Sequence, residues 1–99
     1  MPVGDIFEAI AAPVRRAILD ELTERDGQTL FELCSRLAMK HDLSLTRQGV
    51  SQHLEVLESA GLVVSVRQGR YKFHSLRAEP LKEITERWLR TGKQKERRR

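Results

Sequence analysis

Residues 46–63, TRQGVSQHLEVLESAGLV, place two kinds of side chain on opposite sides of one predicted helix. The apolar residues Val50, Leu54 and Leu57 are spaced i, i+4 and i+7, which puts them on one face at about 3.6 residues per turn. The opposite face contains no lysine and consists of side chains that donate or accept hydrogen bonds in fixed geometries. Its members are Arg47, Gln48, Ser51, Gln52 and Glu55. We expect the apolar face to pack on a core and the polar face to meet either water or a hydrogen-bonding partner.

The positive charge of the chain is concentrated in the same part of the sequence. The chain has 99 residues, the size of one domain with a modest core, and a net charge of +4. Residues 1–45 hold 5 basic and 8 acidic side chains, a balance of −3, whereas residues 46–99 hold 13 and 6, a balance of +7. This distribution favours a polyanionic partner for the second half.

The composition also argues against several classes of protein. No apolar run approaches the roughly 18 to 20 residues of a membrane span, and no signal peptide is recognisable, so we expect a cytoplasmic protein. The single cysteine, Cys34, allows no intramolecular disulfide and is expected to be a small buried apolar residue. We do not expect an enzyme, because there is no phosphate-binding glycine loop, paired-cysteine site or catalytic triad pattern.

Three helices are predicted ahead of the two-faced helix. The first covers residues 5–11, and the second begins at Pro13, which suits a first helical position, and runs to about Arg25. The third starts near Thr29, which forms a capping-box pattern with Glu32. The segment MKHDLSL that follows is predicted as a loop or a frayed helix end.

A hairpin is predicted after the two-faced helix. Thr46 is the predicted cap of that helix, which ends near Ala60. Two strand-like runs follow at residues 62–67 and 70–76, separated by Gln68-Gly69, and the glycine supplies the positive φ of a tight turn.

A last helix closes the predicted domain. Pro80 can open it, and Leu81, Ile84 and Trp88 form an i, i+3, i+7 stripe. We therefore expect a domain over residues 1–91 and a basic tail over 92–99, which lacks apolar residues and should be disordered in isolation.

This order of elements is that of a winged helix domain, in which the third and fourth helices form a helix-turn-helix and the hairpin is the wing. Three segments carry a more specific resemblance: FEAIAAPVRRAILDEL, VSQHLEVLESAGLV, and RQGRYKFHSL followed by AEPLKEI. In these segments the chain resembles the arsenical-resistance repressor (ArsR) family of bacterial transcription regulators, over roughly residues 5–90. The expected fold is mainly α with a β-hairpin wing, a winged helix-turn-helix in the order α-α-α-α-β-β-α.

The resemblance implies a homodimer that binds double-stranded operator DNA and represses transcription, with dimer contacts from the first and last helices. The sequence supports this arrangement, because both helices carry more apolar surface than a small domain readily covers. The alternative is that they pack only on their own core. The predicted interface residues are Ile6, Phe7, Ile10, Leu81, Ile84, Trp88 and Leu89.

In a helix-turn-helix, the second helix lies in the major groove with its amino-terminal residues nearest the base edges. Arg47 could chelate guanine, Gln48 or Gln52 could pair with adenine, and Ser51 could reach a base or a phosphate. The helix amino terminus at Thr46 offers N–H groups to a phosphate.

The wing is predicted to supply charge. Arg67 and Arg70 flank its turn and Lys72 follows, a cluster suited to phosphates or a minor-groove edge, although charged hairpin tips also serve solubility. His53 resembles the family histidine and lies beside the apolar face, so we favour a structural role over DNA contact. The predicted DNA-binding set is Thr46, Arg47, Gln48, Ser51, Gln52, His53, Arg67, Arg70 and Lys72.

The family's paired arginine is also present. Arg15 and Arg16 stand at the start of the second helix, where they could contact phosphates or be solvated.

The chain departs from the family in two respects. Many members release DNA when metal or an arsenical binds thiolates on the third helix, or carboxylate and histidine ligands on the last. Here Cys34 stands in ELCSRL without the second cysteine of the family's ELCxC motif, and the last helix contains no histidine, so we expect no metal site or other cofactor. The chain also has several more residues between Leu33 and Thr46 than a typical member of the family, which implies an extended third helix or an enlarged turn.

One other functional interpretation remains open from the sequence. A winged helix can serve protein or RNA contact without reading a DNA sequence, and the basic tail is compatible with that use.

Overall fold

The computed structural model describes residues 5–97, with side chains through residue 89. Four helices precede a two-stranded antiparallel hairpin and a last helix, so the predicted winged helix-turn-helix fold is confirmed. The elements are α1 Ile6–Ala9, α2 Pro13–Glu24, α3 Leu30–His41, α4 Arg47–Ser59, β1 Val63–Gln68, β2 Tyr71–Leu76 and α5 Leu81–Arg97.

One hydrophobic core holds α2, α3, α4 and the start of the wing together. Val50, Leu54 and Leu57 of α4 are buried in it, so the apolar face predicted for this helix is confirmed. The polar face of α4 is thereby turned away from the domain. The buried core residues are Ala9, Ala17, Ile18, Leu22, Leu33, Leu37, Val50, Leu54, Leu57, Ala60, Leu62 and Val63.

The segment MKHDLSL before α4 is divided between the end of α3 and the connection to α4. The α3 helix continues to His41, and Asp42 ends it in the left-handed conformation with φ 57°. The N–H of Leu43 and that of Asp42 both donate to the carbonyl of Leu37, the first at 2.9 Å, and Leu43 packs against the core. Residues 42–46 separate the end of α3 from the start of α4.

A buried carboxylate anchors the last turns of α3 to α2. Glu21 is 1% exposed. His41 Nε2 lies 2.8 Å and Lys40 Nζ 3.3 Å from its carboxylate, with Arg36 at 3.8 Å. Burial raises the pKa of Glu21, but hydrogen bonds from His41 and Lys40 outweigh it, and the net pKa is lowered. Local sequence patterns do not predict this cluster, because its members come from two different helices.

The wing is attached to the segment between α2 and α3. Gln28 and His74 exchange two backbone hydrogen bonds of 2.9 and 2.7 Å, and the side chain of Asp26 accepts the N–H of Leu76 at 3.1 Å. The buried amide of Gln28 donates to the carbonyls of Glu21 and Arg25. These bonds hold the base of the hairpin in a defined position relative to the helix-turn-helix.

The strand boundaries differ from the prediction by one residue. Gln68 pairs with Tyr71 inside the hairpin, so the turn is Gly69-Arg70 and not Gln68-Gly69. Gly69 has φ 64°, a value that glycine adopts without the steric penalty of a side chain. Arg70 therefore lies in the turn itself.

The last helix is longer than predicted. Its backbone is helical through Arg97, beyond the domain end expected at residue 91, and the expected disorder of the tail in isolation stays a prediction. Lys, Gln, Glu and Arg are good helix formers, so this segment can continue a helix although it has no apolar side chain to bury. Residues 98–99 lie outside the described residues. Within the described range, no helix combines the length and the apolar character needed to cross a membrane.

Candidate nucleic-acid interface

The start of α4 is exposed and tightly capped. The hydroxyl of Thr46 accepts the N–H of Gly49 at 3.0 Å, as predicted for the cap. A Cβ at position 49 would lie 3.1 Å from that hydroxyl, which explains why a glycine suits this close approach. Thr46, Arg47 and Gln48 are all exposed, so the first turn of α4 is available to a partner.

Arg47 is held at the contact between α3 and α4. Its guanidinium lies 6.0 Å from the centre of the Phe31 ring, a cation–π contact with an exposed aromatic residue of α3. This contact restricts the side chain while leaving its N–H groups free of any carboxylate among the described residues. A guanidinium in this position can bind a base edge or a phosphate.

A groove joins the start of α4 to the wing. It has a volume of about 350 Å³, and its walls include Arg47 and Ser51 from α4 and Arg70, Tyr71 and Lys72 from the wing. The structure thus brings together four of the residues that the sequence analysis assigned separately to the helix and the wing.

Two wing cations face each other across the hairpin. Arg67 and Lys72 are direct cross-strand partners, an arrangement of like charges that is unfavourable unless an anion or solvent screens it. Arg70 lies two residues from Lys72, in the turn. The tip of the wing therefore concentrates positive charge where a polyanion would lower its energy.

Not every predicted residue joins this positive surface. Gln52 lines a different cleft together with Asp5, Glu8 and Glu55, whose carboxylates would repel a phosphate. Gln48 is exposed but does not line the groove, and Arg67 also lies outside it. The strongest geometric case is therefore for Arg47, Ser51, Arg70 and Lys72.

His53 is engaged inside the protein. Arg15 NH1 lies 3.1 Å from its Nδ1, and the side chain is half-buried. Because a guanidinium can only donate, Nδ1 must be the acceptor and carries no proton. Burial lowers the pKa of His53, and the charge of Arg15 lowers it further. These contacts favour the structural role predicted for His53.

The paired arginines cap α1. Arg15 donates to the carbonyls of Ala9 at 2.8 Å and Glu8 at 3.0 Å, and Arg16 donates to that of Ile10 at 2.7 Å. Neither predicted role, phosphate contact or simple solvation, describes these bonds. The four-residue α1 leaves unsatisfied carbonyls directly before α2, and that signal could have identified the role from the sequence.

His53 gives a testable pH dependence. Its pKa in the folded state is below the usual 6.5, so the unfolded chain binds the proton more readily. The stability contributed by neutral His53 should be complete above about pH 6.5 and decline as the pH falls below that value. Urea unfolding at several pH values should show a steeper loss for the wild type than for His53→Gln. Parallel pH profiles for the two proteins would rule out this contribution.

Cys34 is half-buried and packs against the core. Burial raises the pKa of its thiol, an effect that the nearby charge of Arg47 only partly opposes. In the part of the chain that the structure describes, no group of three or more His, Cys, Asp or Glu side chains is arranged to hold a metal ion.

An apolar surface lies on the side of the domain formed by α1 and α5. The rings of Phe7 and Trp88 meet edge to face, with centroids 5.7 Å apart. Phe7, Trp88 and Leu89 remain 43%, 55% and 54% exposed. The other predicted interface residues are half-buried, and three of them, Ile6, Ile10 and Leu81, pack partly on the core of their own domain.

Comparisons with known proteins agree with this architecture. A family model described as a helix-turn-helix domain matches residues 10–66. The chain is 51% identical over 84 residues to the HTH-type transcriptional regulator YuzN of Bacillus subtilis, covering 85% of this chain and 91% of YuzN. It is 38% identical over 73 residues to the HTH-type transcriptional repressor SmtB of Mycobacterium tuberculosis, covering 74% of this chain but only 49% of SmtB.

A solved structure extends the similarity to the fold. The ArsR-like transcriptional regulator from Rhodococcus sp. RHA1 aligns with 94% of this chain and 79% of its own, at 31% identity and a TM-score of 0.77. The helix order, the wing and these similarities lead to one conclusion: the chain belongs to the ArsR-type family of helix-turn-helix transcription regulators.

Proposed function

We propose that the protein is a homodimeric repressor that binds an inverted-repeat operator through α4 and the wing. The observation that carries this proposal is the positive groove in which Arg47 of α4 and Arg70 and Lys72 of the wing share one side of the domain. A DNA-binding regulator acts in the compartment that contains the DNA, and this agrees with the cytoplasmic location expected from the sequence. We assign it binding and no catalysis.

The two parts of the surface have different tasks in this proposal. Arg47 and Gln48, in the first turn of α4, read base edges in the major groove, where arginine recognises guanine and glutamine recognises adenine. The wing cations Arg67, Arg70 and Lys72 bind phosphates and hold the register without reading sequence. The capped amino terminus of α4 adds N–H groups for a further phosphate.

A second copy of the chain covers the apolar surface of α1 and α5. Support comes from the exposed Phe7, Trp88 and Leu89, since aromatic and large aliphatic side chains are common at the centre of dimer interfaces. A two-fold axis between the copies would present two α4 helices to successive turns of the same face of DNA.

Selection of bound fragments from a random pool of double-stranded DNA tests this function directly. The expected product is an inverted repeat whose half-sites lie about 10 base pairs apart, or a multiple of that distance, centre to centre. Such a product would demonstrate binding, base preference and two-fold symmetry together. Recovery of DNA with no common sequence would refute sequence-specific reading and leave the protein-contact or RNA-contact interpretation.

The dimer can be tested through Trp88. We expect Trp88→Ala to raise the dissociation constant of the dimer at least about tenfold, because it removes a large aromatic side chain from the interface. Sedimentation over a range of protein concentrations measures this constant. Met39→Ala is the matched control, since Met39 is apolar and 83% exposed but lies on α3. A wild type that sediments as a monomer at micromolar concentration, or equal effects of both variants, would contradict the proposed interface.

A further inference from the structure

The groove between α4 and the wing has a chemical character that phosphate binding alone does not require. Besides its cations, it is lined by apolar surface from Leu30, Phe31, Leu54 and the Tyr71 ring. A DNA phosphate needs hydrogen-bond donors and positive charge, and it gains nothing from an apolar wall. The combination of a cationic rim and an apolar wall instead matches a small anion that carries an apolar body.

A buried polar group also lines this groove. His74 is 5% exposed, and its Nδ1 lies 3.0 Å from the backbone carbonyl of Gln28. Because a carbonyl only accepts, Nδ1 carries the proton, and Nε2 is left as the second polar atom of the ring. Nε2 has no hydrogen-bond partner among the described residues. In this neutral ring Nε2 can only accept, so it can take a hydrogen bond from a hydroxyl group of a bound molecule.

The remaining polar atoms of the groove suit an anion. Arg47 and Arg70 are guanidinium groups that can each bind a carboxylate or phosphate with two hydrogen bonds, and Lys72 adds a third positive charge. The side chain of Ser51 supplies a hydroxyl on the same wall. The volume of about 350 Å³ is within the range of small-molecule sites and far exceeds that of an inorganic ion.

We propose that this groove binds a small organic anion, an aromatic or aliphatic carboxylate or phosphate monoester, and that the bound anion displaces DNA. The displacement rests on the proposed function, because the anion uses Arg47, Arg70 and Lys72, the same cations that we assign to DNA. Binding of the anion itself does not depend on that function. The groove would give the protein a sensor site that involves neither Cys34 nor a metal ion.

The first test measures binding to the full-length protein without DNA, by NMR titration with phenyl phosphate. We expect saturable shifts centred on Ser51 and Tyr71. Inorganic phosphate should bind at least about tenfold more weakly, because it cannot bury a ring against the apolar wall. Equal affinity for the two probes, or shifts that do not saturate, would mean diffuse attraction to a basic surface and would overturn the proposal.

Two wing variants separate the groove from the general charge of the wing. Arg70→Gln removes a cation that lines the groove and should weaken phenyl phosphate binding about tenfold, the loss expected for a charge-assisted hydrogen bond. Arg67→Gln removes an equal charge from the same hairpin outside the groove and should change the affinity less than about twofold. Both residues are exposed, so neither change should disturb folding. Equal weakening by both variants would overturn the assignment.

The second test adds DNA. Phenyl phosphate should release DNA from the wild type, and Arg70→Gln should need about tenfold more of it for the same release. If the anion saturates the groove and the DNA affinity does not change, displacement is refuted. If the protein binds no DNA at all, the proposed function fails, while the titration without DNA still decides whether the anion site exists.

Discussion

Replacing Glu21 with alanine should lower the free energy of unfolding by about 3 kcal/mol. Glu21 is 1% exposed, and Arg36, Lys40 and His41 of α3 surround its carboxylate. Removing the carboxylate leaves Arg36 and Lys40 without a buried counter-ion and breaks the hydrogen bond to His41. The three partners keep between a quarter and two fifths of their side-chain area exposed, so water can compensate in part, and the loss falls at the lower end for a broken buried ion pair.

Thermal and urea unfolding measure this effect, and Glu24 offers a matched control. Glu24 also binds Lys40, but 63% of its side chain is exposed, so Glu24→Ala should cost less than about 1 kcal/mol. The loss of unfolding free energy expected for Glu21→Ala corresponds to a fall in melting temperature of roughly 15 °C for a domain of this size. Similar losses for the two variants would show that the buried position of Glu21 has no special weight.

The same carboxylate predicts a response to acid. Its folded-state pKa lies below the usual 4.5, so the stability that it contributes is present above about pH 4.5. This stability is lost as the pH falls further, through the folded pKa. The pH range in which the Glu21 contribution is lost lies below the range in which the His53 contribution is lost. The two contributions can therefore be measured separately in one pH series.

Replacing Arg47 with alanine should weaken binding to the selected operator by about 1 to 3 kcal/mol and remove the base preference at one position of each half-site. The physical reason is that the guanidinium can donate two hydrogen bonds to guanine O6 and N7, which no other base offers in that arrangement. Binding to operators that already lack this base should change much less. The measurement is a comparison of affinities across single-base variants of the operator.

Two further variants distinguish base reading from charge. Arg47→Lys keeps the charge and loses the two-pronged geometry, so it should retain the salt dependence of binding while losing the base preference. Arg67→Gln should instead weaken all sequences alike and reduce the slope of log affinity against log salt by roughly one unit. An equal loss on every sequence from the changes at Arg47 and Arg67 would refute base reading by α4.

Local patterns in the sequence were sufficient for the order of elements and for the two faces of α4. The spacing of Val50, Leu54 and Leu57 predicts a buried face, and Thr46 predicts a cap, because both depend only on residues within a few positions of each other. The extent of α3 and α5 was less predictable. A helix end depends on a balance of small propensities and closing bonds, such as the one from Leu43 to Leu37.

Contacts between distant parts of the chain decided the rest. Arg15 and His53 meet across 38 positions, and Gln28 and His74 across 46. The Glu21 cluster and the groove that joins Arg47 to Arg70 arise in the same way. The sequence by itself determined the fold class. It also indicated the candidate DNA-binding residues, whose role in DNA binding remains a prediction. Only the tertiary structure decided which of them share one surface, because that depends on how α4 and the wing pack against α3 and not on spacing along the chain.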